Sequence, residues 1–252
     1  MTSADAVAAP RRSRWPRVLL IAVLVLAVLA VAAELIARSV LPGIVRGIVI
    51  EQLDLPADQQ LDVAADGVLL PQLIAGSLNA LHLSSEQVTI GTLTGAAEVT
   101  AHGVPLRGGD LGSASGTVRI DESQFAPFVQ ASGLPIESIS LAEPDVTAEG
   151  SVSVLGISLP LSLTVTPEAD AGELVLVPKA ATIGGFELTA EELEMRLGEL
   201  GEQLTQPQWI CIADRLPAGI RLTAISVQGA EVVADFDVDG AALYATGSCP
   251  TS

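Results

Sequence analysis

Residues whose side chains do chemistry are few and scattered in this 252-residue chain. The two histidines, His82 and His102, do not stand in a metal-ligand spacing such as H-x-x-x-H, and the sequence has neither a G-x-S-x-G nucleophile elbow nor a phosphate-binding loop. His82 lies between Leu81 and Leu83, which is typical of a strand or of the edge of a core. We therefore expect no catalytic residue, no metal ion and no cofactor.

Three aspartates form an acidic cluster near the C-terminal end of the sequence. Asp235, Asp237 and Asp239 alternate with other residues and resemble part of a calcium loop, but the downstream Glu of such a loop is missing at the required spacing. Alternation places all three carboxylates on one face of a strand. We expect that face to be the solvated one.

The N-terminal region has the pattern of a membrane segment. Four arginines between residues 11 and 17 precede an uncharged run of 16 residues, Val18 to Ala33. Basic residues before an apolar run stay cytoplasmic, so the rest of the chain is expected on the outer side. We divide the chain into a cytoplasmic segment 1–17, a membrane segment 18–37 and an exported β-rich domain 38–252.

The length of the run leaves two alternatives open. A signal-peptide core needs about 7 to 15 apolar residues, and a full span needs roughly 20. A retained signal anchor gives a single-pass membrane protein with an exported C-terminal domain. Cleavage at the small residues Ala32 or Ala33 releases the domain to the periplasm.

The composition of the exported part restricts its partners. Eight Lys and Arg stand against 29 Asp and Glu after Ala33. Such an acidic surface repels nucleic acid and keeps the domain soluble. Hydrophobic residues make up 49% of the chain but aromatic residues only 3%, so the core must be aliphatic, and aromatic platforms for carbohydrate are scarce.

Both cysteines, Cys211 and Cys249, lie in the part predicted to be exported. An even pair in an oxidising compartment predicts one disulfide, which would tie the C-terminal tail back across 37 intervening residues. Two free thiols are the alternative.

The pattern of apolar residues changes along the chain. Spacings of three and four from Glu34 to about Leu53 predict a helix, which Pro42 is expected to break or kink. Strand-like alternation follows from about Leu61. The clearest hairpin pairs 146–154 with 157–166, and a second pairs 220–227 with 230–238.

A capping box opens one further helix. Thr189 and Glu192 have the required spacing, and the helix is predicted to run to about Leu204. Its apolar stripe consists of Leu193, Leu197, Leu200 and Leu204.

Four segments and a later cysteine follow the basic N-terminus and the membrane segment in a fixed order: 67–76, 88–90, 99–106, 211–222 and Cys249. In these segments and their order the chain resembles the actinobacterial LmeA family of envelope proteins. The resemblance implies a periplasmic phospholipid-binding protein linked to maturation of mannose-containing glycolipids. It also implies an α+β fold similar to tubular lipid-binding proteins, in which an elongated, curved antiparallel sheet wraps around amphipathic helices and leaves an apolar groove.

We therefore hypothesise a non-catalytic protein that binds, and in one variant of the hypothesis transfers, phospholipid or glycolipid at the membrane. Acyl chains would lie between the helical stripe Leu193, Leu197, Leu200 and Leu204 and the strand residues Val152, Val154, Leu161 and Leu163. The alternative is a membrane-anchored scaffold for envelope glycosyltransferases. An enzyme acting on glycolipids is a weaker third hypothesis, because histidines are scarce and a nucleophile motif is missing.

Overall fold

The structure is a computed structural model that describes residues 15–52, 60–90, 93–126, 129, 136–154, 157–198, 202, 205–212 and 219–240. The helices whose bounds the structure describes are α1 (Trp15–Gln52), α2 (Leu69–Ala75) and α3 (Ala190–Leu197), with a 3₁₀ turn η1 (Glu122–Gln124). The strands are β1 (Asp62–Ala65), β2 (Ser77–Ile90), β3 (Leu93–Pro105), β4 (Ser113–Asp121), β5 (Ile136–Ala142), β6 (Asp145–Val154), β7 (Ile157–Asp170), β8 (Glu173–Ile183), β9 (Phe186–Thr189), β10 (Gln208–Ile210), β11 (Ile220–Gln228) and β12 (Glu231–Asp239). This confirms the predicted α+β class with antiparallel strands and an N-terminal apolar helix.

The strands form two sheets, and every pairing in them is antiparallel. The first sheet has the order β1-β2-β3-β4-β12-β11. The second has the order β10-β8-β7-β6-β5, with β9 added on β8. Strand β11, at the edge of the first sheet, lies against β7 and β8 of the second. Both predicted hairpins are present, as β6–β7 and β11–β12.

Helix α1 is continuous through the position where a break was expected. It has 38 residues and contains Pro42, which does not end it. A proline removes one hydrogen bond from a helix interior, but contacts with neighbouring elements offset that loss. Here Ala37, Leu41 and Val45, on the turns around Pro42, pack into the core. The helix also runs through residues 37 and 38, where we divided the membrane segment from the exported domain.

The core cluster lies where α1 meets the first sheet. It joins Leu41 to Leu69 and to the sheet residues Leu81, Ala101 and Ala114. The N-terminal half of α1 behaves differently, because its apolar side chains from Val18 to Ile36, apart from the half-buried Ala33, are exposed. Residues Arg17–Gly47 form the one helix of the described chain that is long and apolar enough to cross a membrane.

The capping box is formed as predicted. The backbone N–H of Thr189 donates to the Glu192 carboxylate over 3.2 Å, and the Glu192 N–H donates to the Thr189 hydroxyl over 3.3 Å. The assigned helix ends earlier than expected, at Leu197, because Gly198 adopts a φ of 56°. Beyond α3, the Glu202 N–H donates to the Gly198 carbonyl over 3.0 Å.

Candidate functional site

Alternation gives the first sheet one apolar face. Antiparallel register places paired residues on the same side of a sheet. Ala97 pairs with Val118, Val118 with Ala234, and Gly116 with both Val99 and Phe236. The residues that alternate with these along each strand, such as Glu98 and Thr117, therefore point to the other face.

A groove of about 340 Å³ opens on this apolar face. We call it the apolar groove. Its volume lies at the lower end of the range for ligand pockets, which suits a single acyl chain better than a whole phospholipid. Its walls and floor are contributed by β2, β3, β4, β12 and β11, and its lining is Val88, Gly95, Ala97, Glu98, Val99, Gly116, Thr117, Val118, Ile120, Ile220, Ala234, Phe236 and Val238.

Two glycines shape the floor of the groove. A Cβ added to Gly95 would stand 2.4 Å from the Arg119 carbonyl oxygen, and one added to Gly116 would meet the Glu98 carbonyl oxygen at 3.2 Å and a Val99 methyl at 3.3 Å. Strands β3 and β4 therefore approach each other in a way that larger residues oppose. Gly116 pairs with Phe236, so no side chain stands beside the Phe236 ring at that position.

Helix α1 closes one end of the apolar face and leaves the other end open. Its residues Ala37, Leu41 and Val45 pack over the sheet end that begins at Ala101 and Ala114. Val99 and Val238 contact this core and also line the groove. The groove therefore starts where the helix contact ends.

The far end of the groove meets a capped turn. Ile120 lines the groove, and the next residue, Asp121, caps η1 by accepting a hydrogen bond from the Ser123 N–H over 2.9 Å. The Ser123 hydroxyl, and after it the Ser123 N–H, hold the pKa of the Asp121 carboxyl below its ordinary value. The turn also ties the sheets together, because Leu141 N–H of β5 donates to the Glu122 carboxylate over 2.8 Å.

The opposite face of the first sheet is polar. Arg119 pairs with Glu98 over 3.2 Å, and the Thr117 hydroxyl donates to Asp235 over 2.7 Å. Asp237 and Asp239 are exposed, as expected, whereas Asp235 is half-buried beside Thr117. A cleft of about 630 Å³ on this face is larger than the apolar groove, but its polar lining does not suit an acyl chain.

His82 has two polar neighbours. Its Nδ1 lies 3.0 Å from the Thr100 hydroxyl and its Nε2 lies 3.1 Å from the Asp66 carboxylate. This order of groups resembles a hydrolase triad, but Thr100 is in the middle of β3 and pairs with β2 and β4 on either side. Its backbone N–H is used in the sheet, so that amide does not serve as an oxyanion donor. The His82 side chain is 44% exposed, which fits a surface pair of a sheet.

In the described residues, side chains that could bind a metal ion do not form a cluster. The described part of the chain holds no cluster of three or more His, Cys, Asp or Glu side chains close enough to bind a metal ion.

The strand residues predicted to hold lipid lie in the second sheet. Val152 and Val154 belong to β6, where they pair with Leu159 and Ile157 of β7. Leu161 is half-buried and Leu163 is 41% exposed. These positions form a second site hypothesis that stays a prediction.

The helical stripe is only partly described. Leu193 is buried, with 4% of its surface exposed, and Leu197 is the last residue of α3. Leu200 and Leu204 lie outside the described residues. Of the predicted lipid contacts with described side chains, Leu161, Leu163 and Leu193, none lines the apolar groove.

The structure describes one of the two cysteines of the predicted disulfide. Cys211 is disulfide-bonded in the structure, and Cys249 lies outside the described residues. The pairing of Cys211 with Cys249 therefore stays a prediction.

Sequence reasoning recognised the strands of the groove but not the groove. The alternating stretches 97–101, 116–120 and 230–238 are clear in the sequence. Which apolar face stays open depends on how far α1 extends over the sheet, and that is a tertiary property. The sequence signal that could have indicated the groove is the set of small residues Gly95, Ala97 and Gly116 among larger aliphatic ones, because small residues leave space on one face.

The fold and the groove together define a class of protein. A long exposed apolar helix leads into antiparallel sheets, and one sheet presents an aliphatic concavity without converging polar groups. These are the features of a protein that holds an apolar ligand, and its N-terminal helix has the length and composition of a membrane span.

The chain belongs to the LmeA-like phospholipid-binding family, whose model matches residues 32–237. The match begins just before Glu34, so it includes the half of α1 that packs on the sheet. No curated protein and no solved structure matches the chain. Membership supports phospholipid binding and confirms the resemblance found in the sequence.

Proposed function

We propose that this protein holds a phospholipid by inserting an acyl chain into the apolar groove, at the outer face of the cytoplasmic membrane. The observation that carries the proposal is the groove itself, with its mainly aliphatic lining that includes Phe236. Burial of an acyl chain gains about 0.8 kcal/mol per CH₂ group. Contacts with part of one chain therefore supply most of the affinity without a specific polar partner.

The proposed location rests on α1 and on the charges before it. The arginines up to Arg17 stay on the cytoplasmic side, and the exposed apolar residues that follow lie in the hydrocarbon. The domain of residues 38–252 is then exported and tethered beside the bilayer that supplies its ligand. Cleavage at Ala32 or Ala33 would leave the contacts of Ala37, Leu41 and Val45 with the sheet intact, so a released form would keep its core.

The proposed role in the cell is to support maturation of mannan-type envelope glycolipids. The support for this step is the family resemblance, and envelope glycosyltransferases are the partners that it implies. The groove geometry is compatible with binding alone, without a catalytic step on the lipid.

Filling the groove tests the proposal. Ala234→Leu adds apolar volume to the groove floor, whereas Ser115→Leu adds the same side chain to the exposed polar face of neighbouring β4. We expect the Ala234→Leu protein, purified from membranes as the full chain, to lose most of its bound phospholipid in native mass spectrometry. The Ser115→Leu control should retain wild-type lipid.

Thermal unfolding of both variants distinguishes a filled groove from a destabilised fold. Overpacking a filled core destabilises a protein by about 1–3 kcal/mol, whereas filling an open groove does not. When both proteins are compared after delipidation, Ala234→Leu should therefore unfold at or above the wild-type temperature, because bound lipid no longer stabilises the wild type. Retained lipid in Ala234→Leu, or an unliganded wild-type chain that takes up no added phospholipid, would show that the groove is not the binding site.

A further inference from the structure

Helix α2 has its polar and apolar residues in unusual places. Its one polar residue, Gln72, is buried with 7% of its surface exposed. The Gln72 Nε2 donates to the carbonyls of Asp66 over 2.7 Å and of Val68 over 3.0 Å, and its Oε1 accepts from Asn79 N–H over 2.7 Å. A helix on the surface of a soluble domain normally places polar residues outward.

The outward side of α2 is apolar. Ile74 is 73% exposed, and Val68, just before the helix, is 59% exposed. Leu106, also exposed, adjoins them because its N–H donates to the Gly76 carbonyl over 2.9 Å. We call Val68, Pro71, Ile74, Ala75 and Leu106 the α2 patch. Clustered exposed apolar side chains mark surfaces that contact something apolar.

The position of the α2 patch is fixed by Glu34. The Glu34 carboxylate accepts from the N–H groups of Leu69 over 2.9 Å and Leu70 over 2.8 Å, at the first turn of α2. Glu34 is also the first charged residue after the uncharged run. A span of roughly 20 residues counted from Val18 reaches to Ala37, one turn beyond Glu34. The α2 patch is therefore held at the level of the outer membrane boundary, without a flexible linker.

We infer that the α2 patch is a second membrane contact, inserted into the head-group boundary of the bilayer that α1 crosses. Short apolar surfaces of this kind bury about 5–10 Å into that boundary. The Arg107 side chain packs over Gly76 at the end of α2, where it reaches lipid phosphates while its apolar stem stays in the interface. The inference rests on the proposed anchoring by α1. It deepens that proposal, because two contacts fix the tilt of the domain and one does not.

Depth-dependent quenching tests the α2 patch in the full chain. The natural indoles are Trp15 and Trp209, so Ile74→Trp is placed in a Trp15→Phe, Trp209→Phe background. The matched control is Gln228→Trp in the same background, at the exposed β11–β12 turn on the opposite end of the sheet. A third protein, Trp209→Phe, keeps Trp15 as the reporter of anchoring. Each is reconstituted in phosphatidylcholine vesicles with brominated acyl chains.

We expect brominated lipid to cause loss of fluorescence in the Trp209→Phe and Ile74→Trp proteins, with a blue shift, and no loss in the Gln228→Trp protein. Unquenched Ile74→Trp together with quenched Trp15 would overturn the α2 contact and leave the anchor standing. Unquenched Trp15 would overturn the anchor and the α2 contact with it. Equal quenching of Ile74→Trp and Gln228→Trp would show unspecific adhesion and would also overturn the inference.

Discussion

At the scale of single residues, the groove depends on what is missing from its floor. Gly95 and Gly116 both lie on the apolar face, and both prevent a clash between β3 and β4. The space they leave is bounded by Phe236, whose ring is half-buried. Small residues within strands normally weaken a sheet, so their presence here fits a close backbone approach and a ligand space.

The two glycines differ in how much a methyl group would disturb. The Gly95→Ala Cβ would lie 2.4 Å from a backbone oxygen, whereas the Gly116→Ala Cβ has neighbours at 3.2 Å and 3.3 Å. Because backbone cannot rotate away as a side chain does, we expect Gly95→Ala to lower the free energy of unfolding by about 1–3 kcal/mol. Gly116→Ala should lower the free energy of unfolding by a clearly smaller amount. Chemical denaturation of the two variants measures the difference, and equal losses would contradict the geometry.

At the scale of elements, α1 and α2 are joined by a cap that comes from a distant part of the sequence. Val68 stands at the N-cap of α2 and makes no side-chain cap hydrogen bond. The first N–H groups of a helix need a partner, and Glu34 of α1 provides it. Arg38 completes the joint, because it pairs with Glu34 over 2.9 Å and donates to the Gly67 carbonyl.

Glu34→Ala should therefore loosen α2 without unfolding the sheets. We expect the amides of Leu69 and Leu70 to exchange with deuterium faster in the Glu34→Ala protein, measured on the full chain in lipid nanodiscs. Glu34→Gln retains one acceptor oxygen, so its exchange rates at Leu69 and Leu70 should lie between those of Glu34→Ala and wild type. The exposed Glu86→Ala of β2 is the control. Unchanged exchange at Leu69 and Leu70 in Glu34→Ala would show that the cap does not hold the joint.

Local patterns predicted the elements better than their contacts. The hairpins β6–β7 and β11–β12 follow from alternation, and the N-terminus of α3 follows from Thr189 and Glu192, because these are short-range rules. The Glu34 cap joins residues 35 positions apart. Sequence spacing contains no information on such a pair, and the same is true of the sheet face that α1 leaves open.

At the scale of the whole molecule, the apolar helix, the first sheet and the groove form one continuous apolar path. From Ala37 onward one side of α1 packs into the core, and Val99 and Val238 both contact this core and line the groove. The family match over residues 32–237 covers both the core and the groove. On the proposed function, this path would lead an acyl chain from the bilayer to the groove.

The molecule has two candidate lipid sites, one in each sheet. The residues predicted from sequence, including Leu161 and Leu163, lie in the second sheet, whereas the apolar groove lies in the first. Both sites are aliphatic, and they are distinguished by position alone. A method that records where an acyl chain lies is therefore more informative than one that records binding.

The most direct measurement uses a phospholipid with a photoreactive diazirine near the end of one acyl chain. The full chain is loaded in membranes, irradiated and mapped by peptide mass spectrometry, with unlabelled phospholipid as competitor. The account predicts competable crosslinks on β3, β4 and β12, at Val99, Val118 and Phe236, in addition to labelling of α1 by the bilayer. Competable crosslinks at Leu161, Leu163 or Leu193 instead, or labelling confined to α1, would contradict it.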